Sequence, residues 1–197
     1  KLGFGFAEVG TVTPKKQYGN QKPRIFRLEK DSAIINRLGF NSDGSEVVKK
    51  RIENNLPKSL LGINIGPNKG TSDMIKDFLE CAETFFPLGD YITINISSPN
   101  TEGLREFHKK EILKELLSKV NQIREDSNFK KAFLLKISPD LDEKNISEVI
   151  SLILEYKIDG VILTNTTDSN RQNLLSSNRA EIGGLSGKPL KGPSTKL

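Results

Sequence analysis

The sequence has few of the residues that cross-link small proteins or bind metals. Its 197 residues include one cysteine, one histidine, one methionine and no tryptophan. The single Cys81 excludes a disulfide within the chain and is typical of a reducing compartment. Because Cys81 falls on the apolar face of a predicted helix, we expect it to pack in the core. His, Asp and Glu do not cluster at ligand spacing, so no metal site is expected.

Long hydrophobic runs and blocks of like charge are also missing. No apolar run approaches the roughly 18 residues of a membrane-spanning helix. The net charge of +5 arises from 30 basic and 25 acidic residues, but the two kinds are interleaved, as in EKDSAII and HKKEILKELLSK. Aromatic residues do not alternate with basic ones, as they do in proteins that bind single-stranded nucleic acid. The charge pattern therefore argues against a nucleic-acid partner.

Short β-rich runs alternate with helical patterns along most of the chain. The β-rich runs lie at 6–12, 60–65, 91–96, 132–137 and 160–163. The runs are continuously apolar, as expected of parallel strands that helices cover. No G-x-G-x-x-G stretch opens a helix, so a doubly wound dinucleotide-binding fold lacks its main support.

The segments between these runs carry apolar residues at helical spacing. This spacing predicts helices over 75–86, 112–123 and 146–154, and a weaker one near 47–52. Thr71-Ser72-Asp73 offers good N-caps for the first of these helices. The region 14–41 shows little regular pattern, and we predict a long loop over the edge of the sheet. Alternation of strands and helices implies an α/β fold with a parallel sheet.

Polar side chains lie at the C-terminal end of every one of the five β-rich runs or directly after it. In chain order they are Thr11 and Thr13; Asn64 and Asn68; Asn95, Ser98 and Asn100; Lys136 and Ser138; and Thr164, Asn165 and Thr166. One Asn at the end of a strand is usually a turn residue, but the repetition indicates a shared site. In a β/α barrel all strand C-termini point to one face, which carries the active site. We therefore predict a polar pocket with one wall at 95–100.

The chemistry of this pocket is unusual, because it contains amides, hydroxyls and one lysine but no pair of carboxylates. This composition argues against two-carboxylate hydrolysis. The one histidine, His108, lies at a predicted helix start, where we expect it to be solvated. Asn side chains suit a planar heterocycle with amide-like edges, and such a site depends on a cofactor for redox chemistry. The stretch GGLSGKPL (183–190) is expected to be a glycine-rich loop that contacts phosphate, or an ordinary flexible loop.

Several longer stretches together resemble the dihydroorotate dehydrogenases, specifically their class 2, quinone-linked branch. They are GFAEVGTVTPKKQYGNQKPRIFRL, INRLGFNSDG, GINIGPNK, YITINISSPNTEGLR, LLKISPDL, DGVILTNTT and GGLSGKPL. The resemblance implies an α/β fold, the (β/α)8 TIM barrel, that binds flavin mononucleotide (FMN) and orotate. It also implies oxidation of dihydroorotate to orotate with quinone as electron acceptor, in de novo pyrimidine (UMP) biosynthesis.

The resemblance assigns roles to individual residues. Ser98 corresponds to the catalytic base that removes the C5 proton of dihydroorotate while C6 gives a hydride to the flavin; class 1 relatives have Cys there. Substrate-binding roles fall on Asn36, Arg37, Leu38, Gly39, Phe40, Asn95, Asn100, Asn165 and Thr166. Flavin-binding roles fall on Thr11, Asn64, Asn95, Lys136, Thr164 and Gly187.

The resemblance also leads us to expect a partial FMN-binding barrel domain over 1–197, with about six of eight β/α units. The first strand, the membrane-docking N-terminal helices and the last two strands of the family are expected outside this sequence. The implied location is peripheral, on the bacterial or mitochondrial inner membrane, through a segment that this chain lacks.

Two other functions are compatible with the residues. Lys136 could be the Schiff-base nucleophile of a barrel aldolase or synthase that acts on a phosphorylated substrate. Alternatively, the chain could belong to a flavin-binding module without turnover. Flavin absorbance of the purified full-length protein distinguishes the dehydrogenase from the aldolase. If Ser98→Ala leaves function in cells unchanged, the flavin-binding module is favoured.

Overall fold

The computed structural model describes residues 3–127, 130–169 and 171–197. Within these ranges the strands are β1 (Phe6–Val12), β2 (Ile25–Leu28), β3 (Ala33–Asn36), β4 (Leu60–Ile65), β5 (Tyr91–Asn95), β6 (Ala132–Lys136), β7 (Gly160–Ile162) and β8 (Gly184–Gly187). The α-helices are α1 (Ser45–Asn54), α2 (Met74–Phe85), α3 (Lys110–Asp126), α4 (Glu143–Glu155) and α5 (Lys188–Lys196). None of the helices in the described ranges is both long and apolar enough to cross a membrane.

The main sheet is parallel, with strand order β1-β4-β5-β6-β7. Its strands coincide with the five predicted β-rich runs to within one residue, so the predicted parallel sheet is confirmed. Each strand is followed along the chain by one helix, α1 to α5, and the described residues therefore form five β/α units. The strands run in consecutive order, as they do around a β/α barrel.

The two faces of this sheet differ in chemistry. Ile63, Ile92 and Phe133 are fully buried in the main core with residues of the covering helices, and each contributes about 1.5–3 kcal/mol by leaving water. Alternate positions on β4 and β5 carry Asn64 and Asn95 instead. Because side chains of a strand alternate between faces, these amides lie on the opposite face from the helices.

Helix α2 shows how the sequence fixes one of the covering helices. Asp73 caps its N-terminus, because the side-chain Oδ1 accepts a hydrogen bond from the Lys76 amide at 2.9 Å. The cap lies in the predicted Thr-Ser-Asp cluster. The helix buries Phe78, Cys81 and Phe85 against the sheet, so the predicted core position of Cys81 is confirmed.

A second, antiparallel sheet of order β2-β3-β8 was missed by the sequence reasoning. The region 14–41, predicted to be a loop, contains the β2–β3 hairpin, and the 183–190 stretch, expected to be a loop, contains β8. Strands of four residues are too short to show a period, and the pairing of Ile35 with Leu185 joins segments that are distant in sequence. A small core forms around Leu28, Ile35 and Leu185.

Candidate functional site

A cavity of about 260 Å³ lies where the carboxyl ends of β1, β3, β5 and β7 meet. Most of the predicted site residues line it: Thr11, Asn36, Leu38, Gly39, Phe40, Asn95, Ser98, Asn100, Asn165 and Thr166. As predicted, the amides and hydroxyls at the strand ends lie close together in the structure, and residues 95–100 form one wall of the cavity. Which ligand each residue contacts stays a prediction.

The antiparallel sheet supplies one side of this cavity. Strand β3 ends at Asn36, and the chain then passes over the strand ends through Gly39 and Phe40, which both have positive φ angles of 70° and 52°. Asn100 Nδ2 donates to the Asn36 carbonyl oxygen at 3.1 Å. Gln17 Nε2 donates to the Phe40 carbonyl oxygen at 2.8 Å, and this hydrogen bond stabilises the turn at Gly39 and Phe40.

Ser98 lies in the loop after β5 and is 6% exposed. Its Oγ accepts a hydrogen bond from the Asn100 amide at 3.3 Å. An N–H donor favours negative charge on the oxygen that it contacts. Among the described residues, no carboxylate or imidazole makes a hydrogen bond to this Oγ. Removal of a proton by Ser98 thus depends on solvent or on the ligand itself.

Lys136 ends β6 on the polar face of the sheet, where its Cα is paired with that of Asn95. The side chain is half-buried, and within the described ranges it makes no ion pair or hydrogen bond. An unpaired half-buried ammonium group is costly unless an anion or a polar ligand meets it. Lys136 is therefore the cation available to a ligand on this face.

Glu8, Thr93 and Ser97 take part in the site although the sequence reasoning did not select them. Glu8 accepts hydrogen bonds from Asn64 Nδ2 at 2.9 Å and from Thr93 Oγ1 at 2.8 Å. Ser97 Oγ donates to Asn95 Oδ1 at 3.1 Å. The signal available for Glu8 was a carboxylate in the interior of a strand, a position where an acidic residue is disfavoured.

Several other strand-end residues do not line the cavity. Arg37 forms an ion pair with Glu181 at 2.8 Å, and its guanidinium lies 4.4 Å from the Phe26 ring centroid. Thr164 Oγ1 donates to the Asn165 carbonyl oxygen at 2.9 Å. Asn64 does not line the cavity, and its Nδ2 donates to Glu8 instead. The binding roles of Arg37, Asn64 and Thr164 stay predictions.

Gly187 ends β8 and immediately precedes α5, with a φ of 95°. A Cβ there would collide with the Ser32 carbonyl oxygen, so glycine is required by close packing against the β2–β3 turn. The expected flexible loop at this position is wrong, since Gly187 pairs with Ala33 in a strand. Its phosphate role stays a prediction.

His108 is 3% exposed, so the expectation of a solvated ring is wrong. Its Nε2 accepts a hydrogen bond from the Ser138 amide at 3.3 Å, and Nδ1 lies 3.0 Å from the Arg105 carbonyl oxygen. The ring is thus the tautomer that carries its proton on Nδ1. Burial, together with the Arg105 charge, lowers the pKa of His108 below its ordinary value of 6.5. The short 3-10 helix Leu104–His108 turns the ring inward.

Arg105 forms hydrogen bonds and ion pairs with the loops that follow β5, β6 and β7. Its Nη2 lies 3.1 Å from Asp140 and its Nη1 3.0 Å from Asp168. The same guanidinium donates to the carbonyl oxygens of Ser97, at 3.4 Å, and Thr166, at 3.3 Å. Two of these partners flank Ser98 and Asn165 in the chain, so Arg105 fixes the spacing of two cavity walls.

A larger cavity of about 510 Å³ lies between β1 and α1, and apolar residues such as Val9, Val48 and Ile52 line much of it. Of the predicted site residues it contains only Thr11. The smaller cavity has the polar groups that a specific ligand needs, and we therefore assign the candidate site to it.

Comparisons with known proteins show which family this chain is similar to. The family model described as "Dihydroorotate dehydrogenase" matches residues 1–197. The chain is 50% identical over 198 residues to "Dihydroorotate dehydrogenase (quinone)" of Christiangramia forsetii, covering 100% of this chain and 58% of that protein. It is 46% identical over 200 residues to "Dihydroorotate dehydrogenase (quinone), mitochondrial" of Cyclocybe aegerita, covering 99% of this chain and 61% of that protein.

A solved structure gives the same answer for the fold. The crystal structure of ligand-free type DHODH from Eimeria tenella superposes with a TM-score of 0.95 at 42% identity, covering 100% of this chain and 61% of that one. The predicted α/β barrel fold class is confirmed by this match. The chain spans about three fifths of the length of the relatives that it matches. The family match over the whole chain and the level of identity show that this chain belongs to the dihydroorotate dehydrogenase family.

Proposed function

We propose that the protein to which this chain belongs oxidises dihydroorotate to orotate, with FMN as cofactor and a quinone as electron acceptor, in de novo pyrimidine biosynthesis. The observation that carries the proposal is the cavity in which Ser98 lies among the amides of Asn95, Asn100 and Asn165. The relatives named dihydroorotate dehydrogenase (quinone) support it. We further propose that 1–197 belongs to one FMN-binding barrel domain.

The residues present fit a flavin by the chemistry of their donors. An isoalloxazine ring presents carbonyl oxygens and ring nitrogens, which amide and hydroxyl groups such as those of Thr11 and Asn95 can bind. Lys136, without a partner among the described residues, could meet the negative charge of a reduced flavin. Gly66 leaves room beside them, because a Cβ there would lie 2.7 Å from Thr11 Cγ2 and 2.8 Å from Phe40 Cε2.

In the proposed reaction Ser98 Oγ takes the C5 proton of dihydroorotate as its own hydroxyl proton leaves to solvent. A bound FMN would supply the acceptor for the hydride from C6, and a quinone would take the two electrons afterwards. The Asn100 backbone amide that donates to Ser98 Oγ stabilises the negative charge that develops on this oxygen as its hydroxyl proton leaves. Asn36, Asn100, Asn165 and Thr166 would hold the ring of the substrate by its carbonyl and N–H groups.

The electron acceptor and the location are part of the same proposal. The quinones of electron-transport chains carry long apolar tails and reside in membranes, so a peripheral position on the inner membrane suits this acceptor. We propose that the docking segment lies outside 1–197. No nucleic acid is proposed as a partner, because the basic residues are dispersed among acidic ones.

The decisive experiment uses the full-length product of the gene, purified without added flavin. We expect a yellow protein whose bound cofactor is identified as FMN by mass spectrometry. Anaerobic mixing with dihydroorotate should bleach the flavin, and a soluble quinone should restore its colour. A protein without flavin, or a flavin that dihydroorotate does not reduce, would contradict the proposal.

The Schiff-base alternative is tested in the same preparation. Borohydride would trap a phosphorylated ketone or aldehyde on Lys136 in an aldolase. We expect no such adduct, because Lys136 makes no hydrogen bond or ion pair to a carboxylate that could act as its acid or base, within the described residues. A flavin-binding module without turnover would bleach no faster with dihydroorotate than with buffer.

A further inference from the structure

Ser97, directly before Ser98 in the chain, is held by two separate sets of contacts. Its Oγ accepts a hydrogen bond from Asn165 Nδ2 at 3.0 Å and donates one to Asn95 Oδ1 at 3.1 Å. These bonds fix the Ser97 side chain at the cavity wall. Its carbonyl oxygen is bound by a different residue, since Arg105 Nε donates to it at 3.4 Å.

The Ser97 carbonyl oxygen belongs to the same peptide group as the Ser98 nitrogen. A peptide group is planar, so a contact that fixes its oxygen also fixes the nitrogen and the Cα of the next residue. The direction in which Oγ extends from that Cα depends on this plane. We propose that Arg105 is a positioning residue that orients the 97–98 peptide group and thereby directs Ser98 Oγ towards the substrate. This inference rests on the proposed function, because it concerns the residue assigned there as the base.

The same guanidinium group contacts the wall formed by the loop after β7. Arg105 Nη2 donates to the Thr166 carbonyl oxygen at 3.3 Å. The Thr166 backbone amide donates in turn to Asn165 Oδ1 at 2.8 Å. One planar group with donors in fixed directions therefore sets the spacing between the Ser98 wall and the Thr166 wall. A lysine ammonium has no such fixed plane of donors.

Two carboxylates from different loops fix the orientation of the guanidinium group. Asp140, after β6, lies 3.1 Å from Nη2, and Asp168, after β7, lies 3.0 Å from Nη1. Asp140 Oδ2 also accepts a hydrogen bond from the Asp168 backbone amide at 3.3 Å, and its Oδ1 accepts one from the fully buried Thr167 hydroxyl. Asp140 is thus fixed by contacts of its own and presents a defined acceptor to Arg105.

The backbone of Arg105 is fixed by the short 3-10 helix in which it lies. Phe107 of this helix is buried and packs edge-to-face on Phe78 of α2, with ring centroids 5.5 Å apart. The buried His108 ring lies 3.0 Å from the Arg105 carbonyl oxygen through its Nδ1. Arg105 is therefore held at its backbone and at its guanidinium group, as a residue that positions another must be.

Arg105→Lys is the informative substitution, because it keeps the charge and removes the planar set of donors. In the full-length, flavin-loaded protein we expect flavin reduction by dihydroorotate, measured by stopped flow, to slow about tenfold, because Ser98 Oγ loses its single direction. In a Ser98→Ala background the same substitution should slow reduction less than about twofold, since no base is left to position. An equal loss in both backgrounds would overturn the proposal.

Arg124→Lys is the matched control, because Arg124 makes the same kinds of contact before β7 instead of after it. Its Nη1 lies 3.0 Å from Asp159 and donates to the Lys157 carbonyl oxygen at 2.9 Å. Its Nη2 donates to the Tyr156 carbonyl oxygen at 3.0 Å, and the side chain is only 20% exposed. We expect Arg124→Lys to reduce flavin at the wild-type rate. If it slows reduction as much as Arg105→Lys does, the loss follows from stability and the proposal is wrong.

Asp168→Asn tests the same point with little change to the fold, because the Asp168 side chain is 54% exposed. The amide keeps the shape and removes the charge that holds Nη1. We expect flavin reduction to slow about threefold, the scale of an exposed ion pair, and to be unaffected in the Ser98→Ala background. A wild-type rate in Arg105→Lys would overturn the proposal, and so would one in Asp168→Asn where Arg105→Lys does not fold.

A crystal structure of the Arg105→Lys protein tests the inference without any activity. The 97–98 peptide group should be rotated or occupy more than one orientation, and Ser98 Oγ should move with it. An unchanged peptide plane and an unchanged Ser98 side chain would overturn the proposal. Failure of the proposed function would show instead in the wild-type protein, whose flavin dihydroorotate would not reduce, and the orientation of the peptide group would still decide the role of Arg105.

Discussion

Ser98 and Ser138 sit in the same local geometry, and only one of them lines the cavity. Each Oγ accepts a hydrogen bond from the backbone amide two residues later, at 3.3 Å in Ser98 and 3.1 Å in Ser138. In the full-length protein Ser98→Ala should slow flavin reduction about 10²-fold or more, the scale of lost general-base catalysis. Flavin should stay bound. Stopped-flow absorbance measures the rate, and Ser138→Ala serves as the matched control. If flavin is reduced at the same rate in the two variants, Ser98 is not the catalytic base.

Lys136 differs from the exposed lysines in being half-buried and in its place beside Asn95. Lys136→Ala should weaken FMN binding and slow flavin reduction together, since a charge that acts on the cofactor affects both. Fluorescence titration of the apoprotein with FMN gives the first effect and stopped-flow absorbance the second. The exposed Lys144 on α4 supplies the control, and its replacement by Ala should change neither. If Lys136→Ala binds FMN and reduces it as the wild-type protein does, Lys136 has no role at the flavin.

The buried His108 ring should make stability depend on pH. Its folded-state pKa is lowered, by burial and by Arg105, from an ordinary value of 6.5. The unfolded chain therefore takes up a proton more readily, and the folded state loses stability as pH falls below about 6.5. The melting temperature of His108→Gln, in which an amide oxygen can still accept from the Ser138 amide, should fall less than that of wild type between neutral pH and pH about 5. If the melting temperatures of the two proteins fall equally with pH, this account is wrong.

At the scale of secondary-structure elements, Arg105 joins three strand-end loops through two carboxylates and two carbonyl oxygens. Its side chain is 26% exposed and that of Asp140 is 16% exposed, so the pair is only partly screened by solvent. Arg105→Ala should lower the free energy of unfolding by about 1–3 kcal/mol, because Asp140 and two carbonyl groups each lose one donor. Urea titration followed by circular dichroism measures the change.

A control for Arg105 comes from an arginine with a similar short ion pair in a different setting. Arg51 lies 2.6 Å from Asp43, but its side chain is 64% exposed. Exposed ion pairs contribute little, because water and salt screen them. Arg51→Ala should therefore leave the unfolding curve unchanged within error. If both variants lose stability equally, the joining of the loops is not what makes Arg105 important.

At the scale of the whole molecule, the described residues have two hydrophobic clusters of unequal size. The large one packs the parallel sheet against its helices, and the small one lies under the β2-β3-β8 sheet. Segments with few buried apolar contacts open locally more often than the main core. Backbone amides of β3 and β8 should therefore exchange with deuterium faster than those of β4 and β5 in the full-length protein.

Ligand binding should change this exchange pattern in one place. The segment from Asn36 to Phe40 continues β3 into the cavity wall, so orotate should slow exchange in β3 more than in β5. Mass spectrometry of peptic fragments with and without orotate gives both comparisons. Uniform protection of the two sheets, or slowing by orotate that is as large in β5 as in β3, would contradict the division into two parts.

The sequence by itself determined the parallel sheet, the positions of α1 to α4 and the set of polar strand ends. These features depend on local periodicity, on capping residues such as Asp73, and on the residue that follows each strand, all of which are readable within a short window. The meeting of Asn95, Ser98 and Asn165 also followed from the sequence, because parallel strands present their carboxyl ends on one side.

Only the tertiary structure decided the pairing of β3 with β8, the outward turn of Arg37 to Glu181, the burial of His108 and the contact between Glu8 and Asn64. Each joins groups that are distant in sequence, or turns a side chain to one of two sides that the local pattern leaves equivalent. The physical reason is that hydrogen-bond partners and ion pairs are chosen by proximity in the folded chain. Residue type sets what Glu8 can accept, and the packing of β1 beside β4 sets which donor it receives.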